Sequence, residues 1–280
     1  MLTYIYAILA VIGTVVTAWL TPCSWLLTPL LALGYFVGLM ILHLVVALII
    51  SLFVNKNRPV ARVGRFWHFM TVQTVDCILK VAGVRLHITG EELLPQDRRF
   101  MLVSNHLSRF DPMICMVRFR RTPLAFVSKP GNFKIPLAGA FIHKCGYLSI
   151  DRENARNALT TLNTATEYIS SGRLSVGISP EGTRSKTGEL LEFKDGVFKI
   201  ARDSHAPIVV MTVSGTENIT HNFPFRPTHV DMHIVRVIQP EEYAGMRTGA
   251  ISSMVRKYME DDLATQDRKN QNDTTAAVIS

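Results

Sequence analysis

The sequence predicts an α/β domain with a mostly parallel central sheet flanked by helices, preceded by an N-terminal membrane helical hairpin. Three observations carry this expectation. From residue 85 onward, β-rich runs alternate with helical ones, the pattern of strands joined by crossover helices. One run, FMLVS at 100–104, is apolar without alternation, as in a strand covered on both faces. Residues 1–54 contain no Asp, Glu, Lys or Arg, so all 30 basic and 22 acidic residues fall within 55–280.

Taken in order, the apolar segment divides near Thr21, Pro22, Cys23 and Ser24. Residues 2–20 are just long enough to cross a hydrocarbon layer of about 30 Å as a helix, and 26–54 are longer and can tilt or lie partly in the interface, so a spanning hairpin and a shallow re-entrant one in a single leaflet read alike. The first stretch lacks a basic leader and runs straight into a second apolar one, which favours a retained anchor over a cleaved signal. Lys56, Arg58, Arg62 and Arg65 follow, which predicts a cytoplasmic placement for that end. Residues 63–81 have a helical apolar period and suit either a helix on the membrane surface or one packed in a core.

Strands are expected at 85–89, 100–104, 124–128, 147–150, 174–178, 208–213 and 230–238. Helices are expected at 112–119, 135–144, 154–171 (stopped by Ser171 and Gly172), 196–204 and about 250–264. The last residues are polar and predict a disordered tail.

A net charge of +8, all of it in the polar part, suits an anionic surface or substrate, or equally a nucleic acid. Cys23, Cys77, Cys115 and Cys145 form no C-x-x-C pair, which argues against a zinc site or a disulfide framework. The nine histidines include no H-E-x-x-H, and no metal site is expected.

Two runs point to chemistry. In SNHLSRFDP, His106 follows the buried strand and Asp111 precedes Pro112, the order of an N-cap and a first-turn proline. The spacing of five alone is weak, and Asp111 as a plain helix cap is the competing reading. The strand edge is what adds weight, because open α/β sheets bind ligands at the C-terminal ends of their strands. There Asp111 would orient the imidazole and His106 would take a proton from a hydroxyl.

In SPEGTRS, Pro180 and Gly182 make a tight turn, Arg184 can hold a phosphate with its fork of donors, and Glu181 can orient Arg184 or bond a hydroxyl. A solvated polar turn is the alternative, and the run lacks the G-K-[ST] ending of a nucleotide-binding loop. Arg152, after the strand at 147–150, and Lys129, after 124–128, add cations on the same edge, although Asp151 and Arg152 read equally well as a surface pair. Ser108 and Arg109 are further candidate substrate contacts. Neither Ser104 nor Ser108 lies in a G-x-S-x-G elbow, so direct attack by a substrate alcohol is favoured over a covalent intermediate.

NHLSRFDP, GYLSIDR, SPEGTRS with FKDGVFKIA, and APIVV resemble, in order, the four sequence blocks of the glycerophospholipid acyltransferases, over about residues 85–240. Bacterial 1-acylglycerol-3-phosphate acyltransferases look most similar. The chain departs from the family pattern at Ser179, Ser149 and Val210, where an aromatic, a phenylalanine and a second proline are usual.

The resemblance implies His106 as general base with Asp111 as its partner. It implies acceptor phosphate binding by Arg152, Glu181, Gly182, Thr183 and Arg184, with Pro207 on the acyl-donor side. The implied reaction moves an acyl group from acyl-CoA or acyl-carrier protein to the sn-2 hydroxyl of 1-acyl-sn-glycerol 3-phosphate, giving phosphatidic acid. No metal or resident cofactor is implied.

Implied partners are a lysophospholipid, an acyl donor and membrane lipids, with no nucleic acid, at the cell membrane with the catalytic domain on the cytoplasmic side. Glycerol 3-phosphate, another lysophospholipid or a lyso-amino-acid lipid remain alternative acceptors. A thioesterase or lipase and a non-catalytic lipid-binding membrane protein are readings of other classes. The expected organisation is a hydrophobic hairpin at 1–54, an amphipathic linker helix at 55–84, the α/β acyltransferase domain at 85–264 and the polar tail at 265–280.

Overall fold

The computed structural model describes residues 2–21, 25–56, 58, 60 and 62–279, with the side chains of 267 and 269–279 left aside. The break expected at Pro22, Cys23 and Ser24 lies outside the described residues. The chain divides into two compact units, Met1–Leu79 with Gly131–Gly146, and Lys80–Pro130 with Tyr147–Ser280.

The first unit is helical. Its helices α1 (Leu2–Leu20) and α2 (Thr28–Leu52) pack against each other. Both α1 and the stretch Trp25–Leu52 are long and apolar enough to cross a membrane. Few polar groups occur here, and they are spent on holding the helices together. Tyr6 Oη meets His43 Nδ1 at 2.9 Å and Thr17 Oγ1 meets Tyr35 Oη at 2.7 Å.

Helix α3 (Arg65–Val81) buries Thr71, Gln73 and Thr74. Thr74 Oγ1 bonds His43 Nε2 at 2.9 Å, and Gln73 Oε1 accepts from Leu2 N. These long-range bonds make its polar side a packing face. Phe66 and Phe69 are left exposed.

The same unit takes in α5 (Ala138–Lys144), whose Phe141 ring lies edge-on to Trp67 at 6.1 Å. The domain boundaries expected from hydropathy are therefore corrected. Residues 131–146 leave the α/β domain and join the hairpin unit, because their apolar side chains find partners there.

The second unit is built on a seven-stranded sheet. In chain order the strands are β1 (Val84–Thr89), β2 (Met101–Ser104), β3 (Leu124–Ser128), β4 (Leu148–Ser149), β5 (Ser175–Ile178), β6 (Ile208–Ser214) and β7 (Thr228–Ile238). Their spatial order is β1-β7-β6-β2-β5-β3-β4. From β6 to β4 every pairing is parallel, β7 runs antiparallel to β6, and β1 is parallel to β7. The expected fold class is thus observed. β2 and β5 are buried at every residue, as their unbroken apolar runs require.

The helices of this unit are α4 (Asp111–Arg118), α6 (Ala155–Ser170), α7 (Lys199–Ser204), the short α8 (Ile219–Asn222) and α9 (Thr248–Ile279). Asn154 caps α6 by accepting from Asn157 N at 3.0 Å. Helix α9 runs well past the expected end at 264, so the backbone of 265–279 is helical where composition predicts a disordered tail. No Gly or Pro occurs after Gly249, and nothing in the chain interrupts the helix. Asp262 on α9 ties it to the sheet, accepting from Thr212 Oγ1 and bonding His233 Nδ1, both at 2.6 Å.

Candidate active site

The parallel strands β2, β3, β4, β5 and β6 all end on one edge, and the loops leaving that edge carry the site. Asn105, the first residue past β2, is buried and pairs with the backbone of β6. Its side-chain amide donates to Val213 O and accepts from Val213 N, both at 2.8 Å. The loop after β2 therefore starts from a fixed point.

His106 comes next, and its Nδ1 lies 2.7 Å from Asp111 Oδ2. The His106 side chain is 22% exposed and that of Asp111 only 4%. Oδ2 also accepts from Leu107 N and Ser108 N, each at 2.9 Å, and Oδ1 accepts from Thr216 Oγ1 at 2.6 Å. Four donors on one buried carboxyl satisfy its ionised form. The partner of Nδ1 is then an acceptor, which puts the proton on Nδ1 and leaves the lone pair on Nε2.

Asp111 is the first residue of α4 and not its N-cap, a position held by Phe110. The carboxylate turns back to close the 106–108 loop, so the plain helix-cap reading fails. Ser108 is buried and its N–H bonds Asp111, which ties it into the loop's framework. One turn into α4, burial and the nearby Asp111 push the Cys115 thiol far above its ordinary range, so it is no nucleophile.

The second motif is bonded directly to the first. Glu181 Oε1 accepts from His106 N at 2.7 Å, and Ser185 N donates to His106 O at 2.8 Å. The other Glu181 oxygen accepts from Leu191 N at 3.0 Å. Glu181 is buried, which raises its carboxyl pKa, while the Leu191 and His106 N–H donors oppose the rise. Both oxygens are thereby committed to the backbone. Glu181 thus frames the His106 peptide.

Gly182 has φ +71 and donates its N–H to Ser179 O at 3.1 Å, so the turn needs glycine there. A Cβ at this position would stand 3.7 Å from Arg152 Nε, which locates the Arg152 guanidinium against the turn. Asp151 does not pair with Arg152: its Oδ1 accepts from Glu153 N and its N–H goes to Asn157 Oδ1. Thr183 and Arg184 are exposed on the same turn. Arg109, after β2, and Lys129, after β3, are exposed on the same edge.

Pro207 does not join them. It precedes β6 at the strand's N-terminal end, where its carbonyl accepts from Met101 N at 2.9 Å. Since β6 is parallel to β2, Pro207 lies at the opposite edge of the sheet from His106.

Thr216 was not among the expected site residues. The signal available for it is Gly215, which has φ +85 and whose Cβ would fall 2.3 Å from His229 O. Only glycine makes that turn, and the turn delivers Thr216 to Asp111.

A histidine paired with a buried carboxylate is thus bonded to a cation-bearing turn at the edge of a parallel sheet. Residues 85–214 match the family model described as Acyltransferase. The chain is 30% identical over 140 residues to the 1-acyl-sn-glycerol-3-phosphate acyltransferase of Borreliella burgdorferi, covering 50% of this chain and 55% of that protein. It is 29% identical over 204 residues to the protein of the same description from Saccharomyces cerevisiae, covering 71% and 63%. The matches thus span a little over half the length of these relatives. The crystal structure of the 1-acyl-sn-glycerophosphate acyltransferase PlsC from Thermotoga maritima superposes with a TM-score of 0.59 at 19% identity, covering 95% of this chain and 98% of that one. It shares the fold.

Proposed function

We propose that this protein transfers a fatty acyl group from acyl-CoA or acyl-carrier protein to the sn-2 hydroxyl of 1-acyl-sn-glycerol 3-phosphate. The observation that carries this reading is the pair of bonds from Glu181 and Ser185 to the backbone of His106, which join the His106 loop to the turn bearing Arg184. The descriptions of the Borreliella and Saccharomyces relatives support the choice of acceptor.

In the proposed reaction Nε2 of His106 takes the proton of the acceptor hydroxyl as its oxygen attacks the thioester carbonyl. The tetrahedral intermediate collapses with cleavage of the C–S bond, and the imidazolium returns the proton to the leaving thiolate. Asp111 stabilises the imidazolium between these steps. Arg152 and the turn at Thr183 and Arg184 hold the acceptor phosphate, with Arg109 and Lys129 supplying further positive charge to substrate.

The two apolar helices anchor the enzyme in a membrane, where its acceptor and product reside. The basic residues Lys56, Arg58, Arg62 and Arg65 favour the cytoplasmic face for the catalytic domain.

The test is an assay of the purified full chain with both acyl donors against a panel of acceptors. The panel comprises 1-acyl-sn-glycerol 3-phosphate, glycerol 3-phosphate, other lysophospholipids and a lyso-amino-acid lipid. Highest kcat/KM with 1-acyl-sn-glycerol 3-phosphate is expected. Preference for another acceptor would reassign the substrate, and hydrolysis of the donor without transfer would overturn the reading.

A further inference from the structure

The connection from β6 to β7 carries Thr216 at one end and an exposed apolar tip at the other. In the tip, Phe225 is 92% exposed and Phe223 is 48% exposed, and Pro224 and Arg226 are exposed with them. Two large rings in water are costly, and nothing in their own packing calls for them.

The tip is also well tied. Phe225 N and Arg226 N donate to Asn222 O at 3.0 and 2.8 Å. Asn222 Nδ2 donates to Thr228 Oγ1 at 3.0 Å, and Thr228 N donates to Gly83 O at 3.0 Å. Beneath it, Ile219 is buried and anchors α8. The rings are therefore presented by a fixed scaffold.

Its position follows from the topology. β7 is antiparallel to β6, so the chain enters β7 on the edge where β2, β3, β4, β5 and β6 end. The tip thus shares the sheet edge of His106, two strands away along the order β7-β6-β2. Residues 218–230 contain no Asp or Glu, and Arg226 is accompanied by His221 and His229. Exposed aromatic rings flanked by a cation suit a surface that is apolar below and anionic above.

We propose that residues 223–226 are a membrane-contact tip that enters the headgroup region of a lipid bilayer with anionic lipids and holds the His106 edge of the domain against it. The tip then acts where a bilayer-resident acceptor is offered. That last point alone rests on the function proposed above.

The experiment uses the full chain in phosphatidylcholine–phosphatidylglycerol vesicles, with Cys23→Ser as background and a nitroxide on Phe225→Cys. Accessibility is read by power saturation against oxygen and a water-soluble nickel complex, with Thr160→Cys as the exposed reference position on α6. At position 225 oxygen should dominate and nickel be excluded, while at 160 nickel should dominate. Nickel access at 225 equal to that at 160 overturns the proposal. Spin–spin broadening at 225 also overturns it, in favour of a second copy of the chain.

A second measurement reads activity. The double variant Phe223→Ser, Phe225→Ser should raise KM about tenfold for long-chain 1-acyl-sn-glycerol 3-phosphate in vesicles. It should leave kcat/KM unchanged for a short-chain acceptor dissolved as monomer. Equal losses with both acceptors would place the tip against substrate or in the fold instead of against lipid. A wild-type chain that transfers no acyl group would remove the proposed function and leave the nitroxide result to stand alone.

Discussion

Thr216 donates its hydroxyl hydrogen to Asp111 Oδ1 at 2.6 Å, across 105 positions of the chain. Both residues are buried, so this bond sets the plane of the carboxylate that orients His106. Thr216→Val keeps the shape and removes the donor, leaving one carboxylate oxygen buried without a partner. That loss is worth about 1–3 kcal/mol. The expected result is a kcat roughly tenfold lower with acceptor KM little changed, measured by steady-state kinetics.

Asp111→Asn separates geometry from charge. Three N–H donors converge on Oδ2, so the amide oxygen stays there. The NH2 group then faces Thr216 Oγ1, which can accept. The fold should persist, as read by circular dichroism, while kcat falls on the order of 10³–10⁴ for want of a counter-charge to the imidazolium. Because the two residues share one bond, the double variant should cost clearly less than the product of the single losses.

Arg184→Ala removes an exposed cation from the turn without touching the bonds that frame His106. Its effect should fall on acceptor KM, raised about tenfold for a phosphate-bearing acceptor, with kcat nearly kept. An unchanged KM would place Arg184 outside the acceptor site.

Arg256 on α9 supports the site from outside the matched family segment. Its Nη1 and Nη2 donate to Leu191 O at 2.6 Å and Leu190 O at 3.3 Å, and its guanidinium lies 5.3 Å from the Phe193 ring centre. The N–H of the same Leu191 holds Glu181. Arg256→Ala should lower stability by about 1–3 kcal/mol in denaturant unfolding and speed proteolysis near residue 190. Arg256→Lys should recover only part of this, since an ammonium cannot fork to two carbonyls.

Tyr243 offers a pH test. Its buried hydroxyl donates to Ala206 O at 2.7 Å and Ala201 O at 3.0 Å, and burial first, then Glu241, pushes its pKa from 10.0 up to about 12. A raised folded pKa means the folded chain keeps a proton that the unfolded chain loses. The stabilisation is complete below pH 10 and disappears as pH climbs through about 12, a loss of about 2–3 kcal/mol. Tyr243→Phe should flatten that alkaline limb in unfolding curves, while costing about 1–3 kcal/mol at neutral pH for the donor lost to Ala206 O, since Ala201 O keeps the Ala206 N–H.

Much of the fold was legible because it rests on local pattern. The strand before His106, the helix after Asp111 and the capped α6 follow from runs of a few residues. The reversed direction of β7 and β1 is set by which edges meet, and no local pattern records that. The same division runs through the site. His106 and Asp111 are five residues apart and are visible as a pair.

Thr216 and Arg256 make their contacts over 105 and 65 positions and Leu191 over 10, by a hydroxyl, a guanidinium and an N–H that many unrelated residues carry. Glu181 is visible in its motif, but its bond to the His106 N–H is not. Its spacing cannot tell that both oxygens end on backbone donors. Pro207 lies at the N-terminal end of β6, away from His106, a separation that the sequence blocks do not record. Residues 131–146 moved to the helical unit because apolar spacing identifies a helix without naming its partner.

The bonds from Glu181 and Ser185 to the His106 peptide carry one more consequence. Ser185 N–H reaches the His106 carbonyl main chain to main chain, and the buried Glu181 carboxylate adds a second bond, so the loop bearing His106 and the turn bearing Arg184 are held at one separation. In the proposed reaction the site then works as a fixed gauge, measuring an acceptor from its phosphate to its reacting oxygen. Acceptors of the right span would be accepted with many different tails, and one with an extra carbon between phosphate and hydroxyl would be turned away however well its tail fits.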